Sequence, residues 1–175
     1  FYGARRELFE EQDHFIALMQ LLARPEVPRD DAVAALEELT RLDLKVRSAV
    51  RKAMDPLTEH TNKQLREAAL VLLSRAGDKG ARRDLLRGYN ERITAQRDND
   101  VAYTERGDVL YRVGDYSQAI KDYKQAVALM RARTKEEGPF IGLARCYAQM
   151  RKYKDAKDYL DLAPVSISRL RELSK

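Results

Sequence analysis

The sequence predicts an all-α fold, a solenoid of helical hairpins packed on an N-terminal helical bundle. Three observations carry that expectation. Apolar residues recur at three- and four-residue spacing almost throughout, and no stretch alternates as a half-buried strand would. Only 8 Gly and 5 Pro punctuate 175 residues, of which 35% are charged, a mixture suited to solvated helices packed through narrow apolar stripes. Two segments of the C-terminal half also match one another at a constant displacement.

Taken in order, a first helix covers Arg5 to Ala23, with Leu8, Phe9, Phe15, Ile16, Met19 and Leu22 on one face, and Pro25 and Pro28 bracket the linker after it. A second starts near Asp30 or Asp31, either of which can cap it, and runs through AVAALEELTRL. A third spans Lys45 to Met54, with Val46, Ala49, Val50 and Ala53 apolar. It stops before Asp55-Pro56, because a proline pushes its predecessor out of the helical region. The fourth, NKQLREAALVLLSRA, sets Leu65, Ala68, Ala69, Leu72 and Leu73 in a stripe and breaks at Gly77-Asp78-Lys79-Gly80. A fifth runs from Ala81 to Ala95 and buries Leu85, Leu86, Tyr89 and Ile93. The polar stretch Gln96 to Asp100 closes a first domain, 1–95, and opens a second, 96–175. Asn99 or Asp100 can accept the first free backbone N–H groups there.

In the second domain Tyr103, Gly107, Leu110, Ala119, Tyr123 and Ala126 are matched by Phe140, Ala144, Tyr147, Ala156, Leu160 and Ala163, each displaced by 37 positions. The phrases GDYSQA and RKYKDA mark the same tight turn in the two copies. Small residues at the crossings let helix A and helix B of a hairpin approach closely, and the larger ones fill the space between. Residues 100–164 resemble the tetratricopeptide repeat family, whose pattern is aromatic-x2-Leu-Gly-x2-Tyr and then Ala-x3-Phe. Arg106 stands where that family prefers Leu, Ala144 replaces the Gly, and the period exceeds the usual value of about 34. The added residues are expected to lengthen helix B over Arg131 to Glu137, before Gly138-Pro139 restarts the chain. Pro164 should shorten the second helix B, and Ser166 can cap a last helix, SISRLRELSK, that sets Ile167, Leu170 and Leu173 on the second repeat. In 62–95, Leu65, Ala69, Leu72, Ala81, Leu85 and Gly88 fall near the family's positions. GDKGA is one residue shorter than GDYSQA, so whether this is a degenerate third repeat stays open.

The segment from about 30 to 76 is similar to the N-terminal helical domain of transcription elongation factor TFIIS at Leu36, Leu39, Leu42, Val46, His60, Leu65, Ala69 and Leu72. The Ile-Gly-Lys-x-Val-Asn stretch and the closing aromatic of that family are missing. The resemblance implies a second protein-docking module, again without catalysis.

Candidate chemistry is sparse. Cys146 is the single cysteine, which excludes an internal disulfide and points to a reducing compartment; inside a packed helix it reads as a small hydrophobe. His14 and His60 are far apart in sequence and lack Cys or Asp at ligand or triad spacing, so both read as surface residues. No glycine-rich phosphate loop is present. The pairs Glu10-Glu11, Glu37-Glu38 and Glu136-Glu137 are neighbours on a helix and diverge by about 100 degrees, too far to work as a dyad. We therefore expect no enzyme, no metal and no cofactor. The net charge of +5 comes from 33 basic and 28 acidic residues that are mixed along the chain, which makes nucleic acid a poor partner. No run reaches the roughly 18–20 apolar residues of a membrane span. The absence of an initiator Met before Phe1 leads us to expect a longer protein.

What remains is binding. The face of each helix A expected to line a concave groove carries Thr104, Asp108, Tyr111 and Arg112 in the first repeat, and Ile141, Arg145, Ala148 and Gln149 in the second. Tyr111 has an aromatic body with a polar tip, and Arg112 and Arg145 carry forked donors that suit carboxylates. The repeat resemblance implies an interaction scaffold, and Tyr111, Arg112 and Arg145 lead us to expect a partner segment with acidic and apolar residues. The Lys-Asn-Arg clamp that some family members use on chaperone tails is absent, because Thr104, Asp108 and Gly142 occupy its positions. Two rivals stand beside it, a transcription- or chromatin-associated adaptor and a nucleic-acid-binding helical repeat. The cytoplasm, including cilium and cytoskeleton, and the nucleus all fit.

Overall fold

A computed structural model of the chain describes residues 13–40, 48–130 and 137–163, and among these the regular structure is entirely helical. The helices are α1 (residues 13–22), α2 (Arg29–Leu39), α3 (Ser48–Thr58), α4 (Lys63–Arg75), α5 (Lys79–Ala95), α6 (Asp100–Val113), α7 (Tyr116–Leu129), α8 (Gly138–Gln149) and α9 (Tyr153–Leu162). Among the described residues, no helix is long and apolar enough to cross a membrane. The expected start of the first helix, Leu42, Val46, and the last helix at 166–175 lie outside the described residues.

Two compact units divide the chain, Phe1–Leu85 and Leu86–Lys175. The boundary falls inside α5 and not at 95/96, because the later part of α5 packs with the helices that follow. Leu86 joins the apolar cluster around Tyr123, Asn90 accepts a hydrogen bond from Arg106, and Arg92 pairs with Glu105.

The first unit is built on α4, which packs against both α2 and α3. Its core holds Met19 and Leu22 of α1, Ala32 and Leu36 of α2, Met54 and Leu57 of α3, Leu65, Ala69 and Leu72 of α4, and Ala81 at the start of α5. Asn62 caps α4 by accepting from the Leu65 N–H at 3.0 Å. Three expectations need correction here. Asp30 and Asp31 lie in the first turn of α2 and make no cap; Pro28 precedes the helix, and the two carboxylates sit where the helix dipole favours negative charge. Pro56 does not end α3, which continues to Thr58. The extra turn buries Leu57 completely beside Met54, a gain of about 1.5–3 kcal/mol that offsets much of proline's helical penalty. His60 is half-buried, not a plain surface residue, and its Nδ1 accepts from the Asn62 N–H at 3.0 Å, shaping the turn into α4.

In the second unit α6 packs on α7, α8 on α9, and α8 lies against both α6 and α7. Asn99 caps α6 by accepting from Ala102 at 2.9 Å. The turn between α6 and α7 places Gly114 at φ +90, where an L side chain is strained. The Gly114 N–H donates to Tyr111 O at 3.0 Å, the Asp115 N–H donates to Leu110 O at 2.9 Å, and the Asp115 side chain accepts from Gln118 at 3.1 Å. The same backbone turn recurs 37 residues later. Arg151 stands at φ 59 and donates to Ala148 O, and Lys152 donates to Tyr147 O, both at 2.9 Å. It also occurs 37 residues earlier, inside the first unit. Gly77 at φ +93 donates to Ser74 O at 3.1 Å, Asp78 donates to Leu73 O at 3.0 Å, and the Asp78 side chain accepts from Ala81 at 2.9 Å. Helix α7 ends at Leu129, where Met130 leaves helical geometry at ψ 73, so it does not continue directly into the residues expected to lengthen it. Residues 131–136 lie outside the description. Helix α9 has 10 residues against 14 in α7, shorter as Pro164 implies.

Candidate functional site

The centre of the second unit is the Tyr123 ring, which is fully buried. Glycines approach it from two helices. A Cβ built on Gly107 of α6 would lie 2.8 Å from the ring, and one on Gly142 of α8 would lie 2.4 Å from it. Both distances are inside van der Waals contact, so the ring occupies the volume that any side chain there would need. The following hairpin carries Ala144 where α6 has Gly107, and Leu160 where α7 has Tyr123, an exchange of one Cβ for a smaller partner. Ala119 is fully buried and Ala156 is 7% exposed, which places both at the expected crossings. Leu160 departs from expectation. It is 42% exposed and fills no interior space, since the ring it replaces is sealed by the next helix A, and no described helix stands in that position after α9.

Above this core lies an ion pair that spans α5, α6 and α7. Arg106 donates through Nε and Nη2 to the two carboxylate oxygens of Asp122, each at 2.7 Å, and through Nη1 to Asn90 Oδ1 at 2.8 Å. Asp122 is buried, and the bidentate bond to it raises the Arg106 pKa above its ordinary value against the opposing effect of burial. The departure of Arg106 from the repeat pattern is thus satisfied by Asp122, which lies one helix away.

The side chains expected to bind are arranged around Tyr111. Its ring packs 5.5 Å from that of Tyr116, and the Arg145 guanidinium lies over it, 4.2 Å from the centroid. That is close enough for a cation–π contact, and Arg145 remains exposed. The Gln149 Nε2 points toward the Tyr111 hydroxyl at a long 3.5 Å. Asp108, also exposed, accepts a 2.7 Å hydrogen bond from the Tyr123 hydroxyl. Burial, and then that bond, push the Tyr123 phenol well above its usual pKa. Tyr111, Arg145 and Gln149 therefore converge. Thr104 turns back and donates to Asp100 O at 2.9 Å, while Arg112 and Ile141 are half-buried on α6 and α8. Sequence reasoning missed Tyr116 and the hydroxyl of Tyr123 as members of this group. The tyrosine in GDYSQA was the available signal for the first. Cys146 is fully buried behind this face, and burial pushes its thiol up to about 11, which keeps it protonated and unreactive at neutral pH.

Residues 101–132 match the tetratricopeptide repeat family. The match covers the α6–α7 hairpin, the one built around Tyr123. Comparison with curated proteins and with solved structures finds no match. The tetratricopeptide hairpin is a general protein-interaction element, and here its helix A carries Asp108 and Tyr111.

Proposed function

We propose that this protein is a non-enzymatic interaction scaffold that binds a partner segment on the A-helix face of α6 and α8 as part of a larger assembly. The observation that carries the reading is Arg145, an exposed guanidinium held over the Tyr111 ring and, among the described residues, paired with no carboxylate. A cation oriented in advance loses little side-chain freedom on binding, so the cost of ordering it is already met in the free protein. Tyr and Arg are also the residue types that dominate interface energetics. Thr104, Asp108, Arg112, Ile141 and Gln149 complete the proposed surface, and its partner carries acidic and apolar residues.

The test uses the full chain as bait, with the recovered partner titrated against wild type and an Arg112→Ala/Arg145→Ala double variant. We expect affinity to fall by more than about 2 kcal/mol, because charge-assisted contacts are lost. Equal affinities would remove the surface from consideration. Binding mapped to residues 1–95 would instead favour an adaptor acting through the elongation-factor-like segment, and a steep loss of binding with salt would favour nucleic acid.

A further inference from the structure

Asp108 and Arg145 hold the same position in successive A helices, 37 residues apart, on helices that pack against each other. Opposite charges so placed would ordinarily be expected to pair. Here, among the described residues, neither takes part in an ion pair, and both are exposed. A tyrosine holds each one instead. The Tyr123 hydroxyl donates to one carboxylate oxygen of Asp108 at 2.7 Å, and the face of Tyr111 carries the Arg145 guanidinium at 4.2 Å. The second oxygen of Asp108 and the edge donors of Arg145 are left for an outside partner.

Resting on the reading of this face as a binding surface, we infer that its occupant is an extended peptide segment with a basic residue two or three positions from an acidic one. The base meets Asp108 and the acid meets Arg145, each at the polar atoms its tyrosine leaves open. The spacing follows from geometry. Packed helix axes lie about 8–10 Å apart, and two to three residues of extended chain span about 7–10 Å. A purely acidic segment would bring its remaining carboxylates against Asp108, and like charges held together at an interface are selected against.

The experiment selects displayed random nine-residue peptides on the full chain, followed by titration with synthetic versions of those enriched. Wild type should enrich base–acid pairs at that spacing in one order, and replacing the base with Ala should weaken binding at least about tenfold. A charge-swapped Asp108→Arg/Arg145→Asp chain should enrich the opposite order. Asp108→Asn, which still accepts from the Tyr123 hydroxyl, should lose the preference for a base and keep that for an acid, and it reads the same point should the swapped chain fail to fold. Selection of acid without base by wild type would overturn this inference and leave the Arg145 surface standing. Peptides chosen alike by wild type and Arg145→Ala, or no enrichment at all, would overturn both.

Discussion

Gly142→Ala adds one methyl group where there is no room for it. The new Cβ would sit 2.4, 2.5 and 2.8 Å from three atoms of the Tyr123 ring, and the same ring already fills the space beside Gly107 of α6, so room to retreat is small. Overpacking of a full core costs about 1–3 kcal/mol. A displaced ring also strains the phenol bond to Asp108, and a hydrogen bond to a charged group contributes about 1.5–3 kcal/mol. Exchanging a helical Gly for Ala gives back about 1 kcal/mol. The balance is a destabilisation of about 2–4 kcal/mol, large beside typical domain stabilities of about 5–15 kcal/mol. Gly88→Ala is the matched control, since nothing lies within 4 Å of its Cβ and propensity alone should stabilise by about 0.5–1 kcal/mol. Of the 9 tyrosines only Tyr2 lies before Leu86, so urea unfolding followed by tyrosine fluorescence reports mainly on the second unit. Gly142→Ala equal to or more stable than wild type would refute the claim that Tyr123 fills the space between α6 and α8.

Arg151→Gly should raise stability by about 1 kcal/mol, because Arg151 stands at φ 59 where its predecessor in the period is Gly114; a fall in melting temperature would contradict this. Ala119→Leu should cost about 1–3 kcal/mol in the same urea titration, since Ala119 is fully buried at a helix crossing, and an unchanged midpoint would place it elsewhere. Stability should decline as pH rises from about 9 toward 11. The Cys146 thiol is raised to about 11 in the fold while the unfolded thiol ionises near 9, and the Tyr123 phenol is raised as well. A raised folded pKa favours the fold below the unfolded pKa, and that contribution is lost at up to about 1.4 kcal/mol per pH unit above it. Cys146→Ala should flatten the slope between pH 9 and 10, and an unchanged slope would show that the thiol plays no part.

Helix identity and repeat register were legible because periodicity reports directly which face is buried. The cap at Asn99, and the paired positions 37 residues apart, needed only local chemistry, as do the caps at Asn62 and Asp115, which were not foreseen. What escaped was decided by contacts between helices. The local cost of Pro56 is visible in the sequence and the burial of Leu57 is not, so the pattern alone implies a stop there. Arg106 looked like a departure from the repeat until Asp122 and Asn90 met it from two other helices. Leu160 matches Tyr123 in the period, but a matching position does not bury a side chain unless a helix covers it. Tyr111 and Arg145 were both named for the binding face, yet their stacking was not foreseen, since it joins residues on different A helices.

The three turns that share one set of backbone hydrogen bonds do not hold their hairpins equally well. The last of them keeps Arg151 in a conformation that Gly77 and Gly114 adopt without cost, joins a shorter helix, and leaves Leu160 and Tyr153 facing solvent. Amide hydrogen exchange should therefore be graded along the second unit, with α9 opening at a lower free energy than α7, as a separate cooperative step. Arg145 lies on α8, the partner of that weaker helix, while Tyr111 lies on the firmer α6. A segment that fastens α8 to α6 would slow exchange in α9 without touching it, so occupancy of the face would be recorded as protection at the far end of the chain.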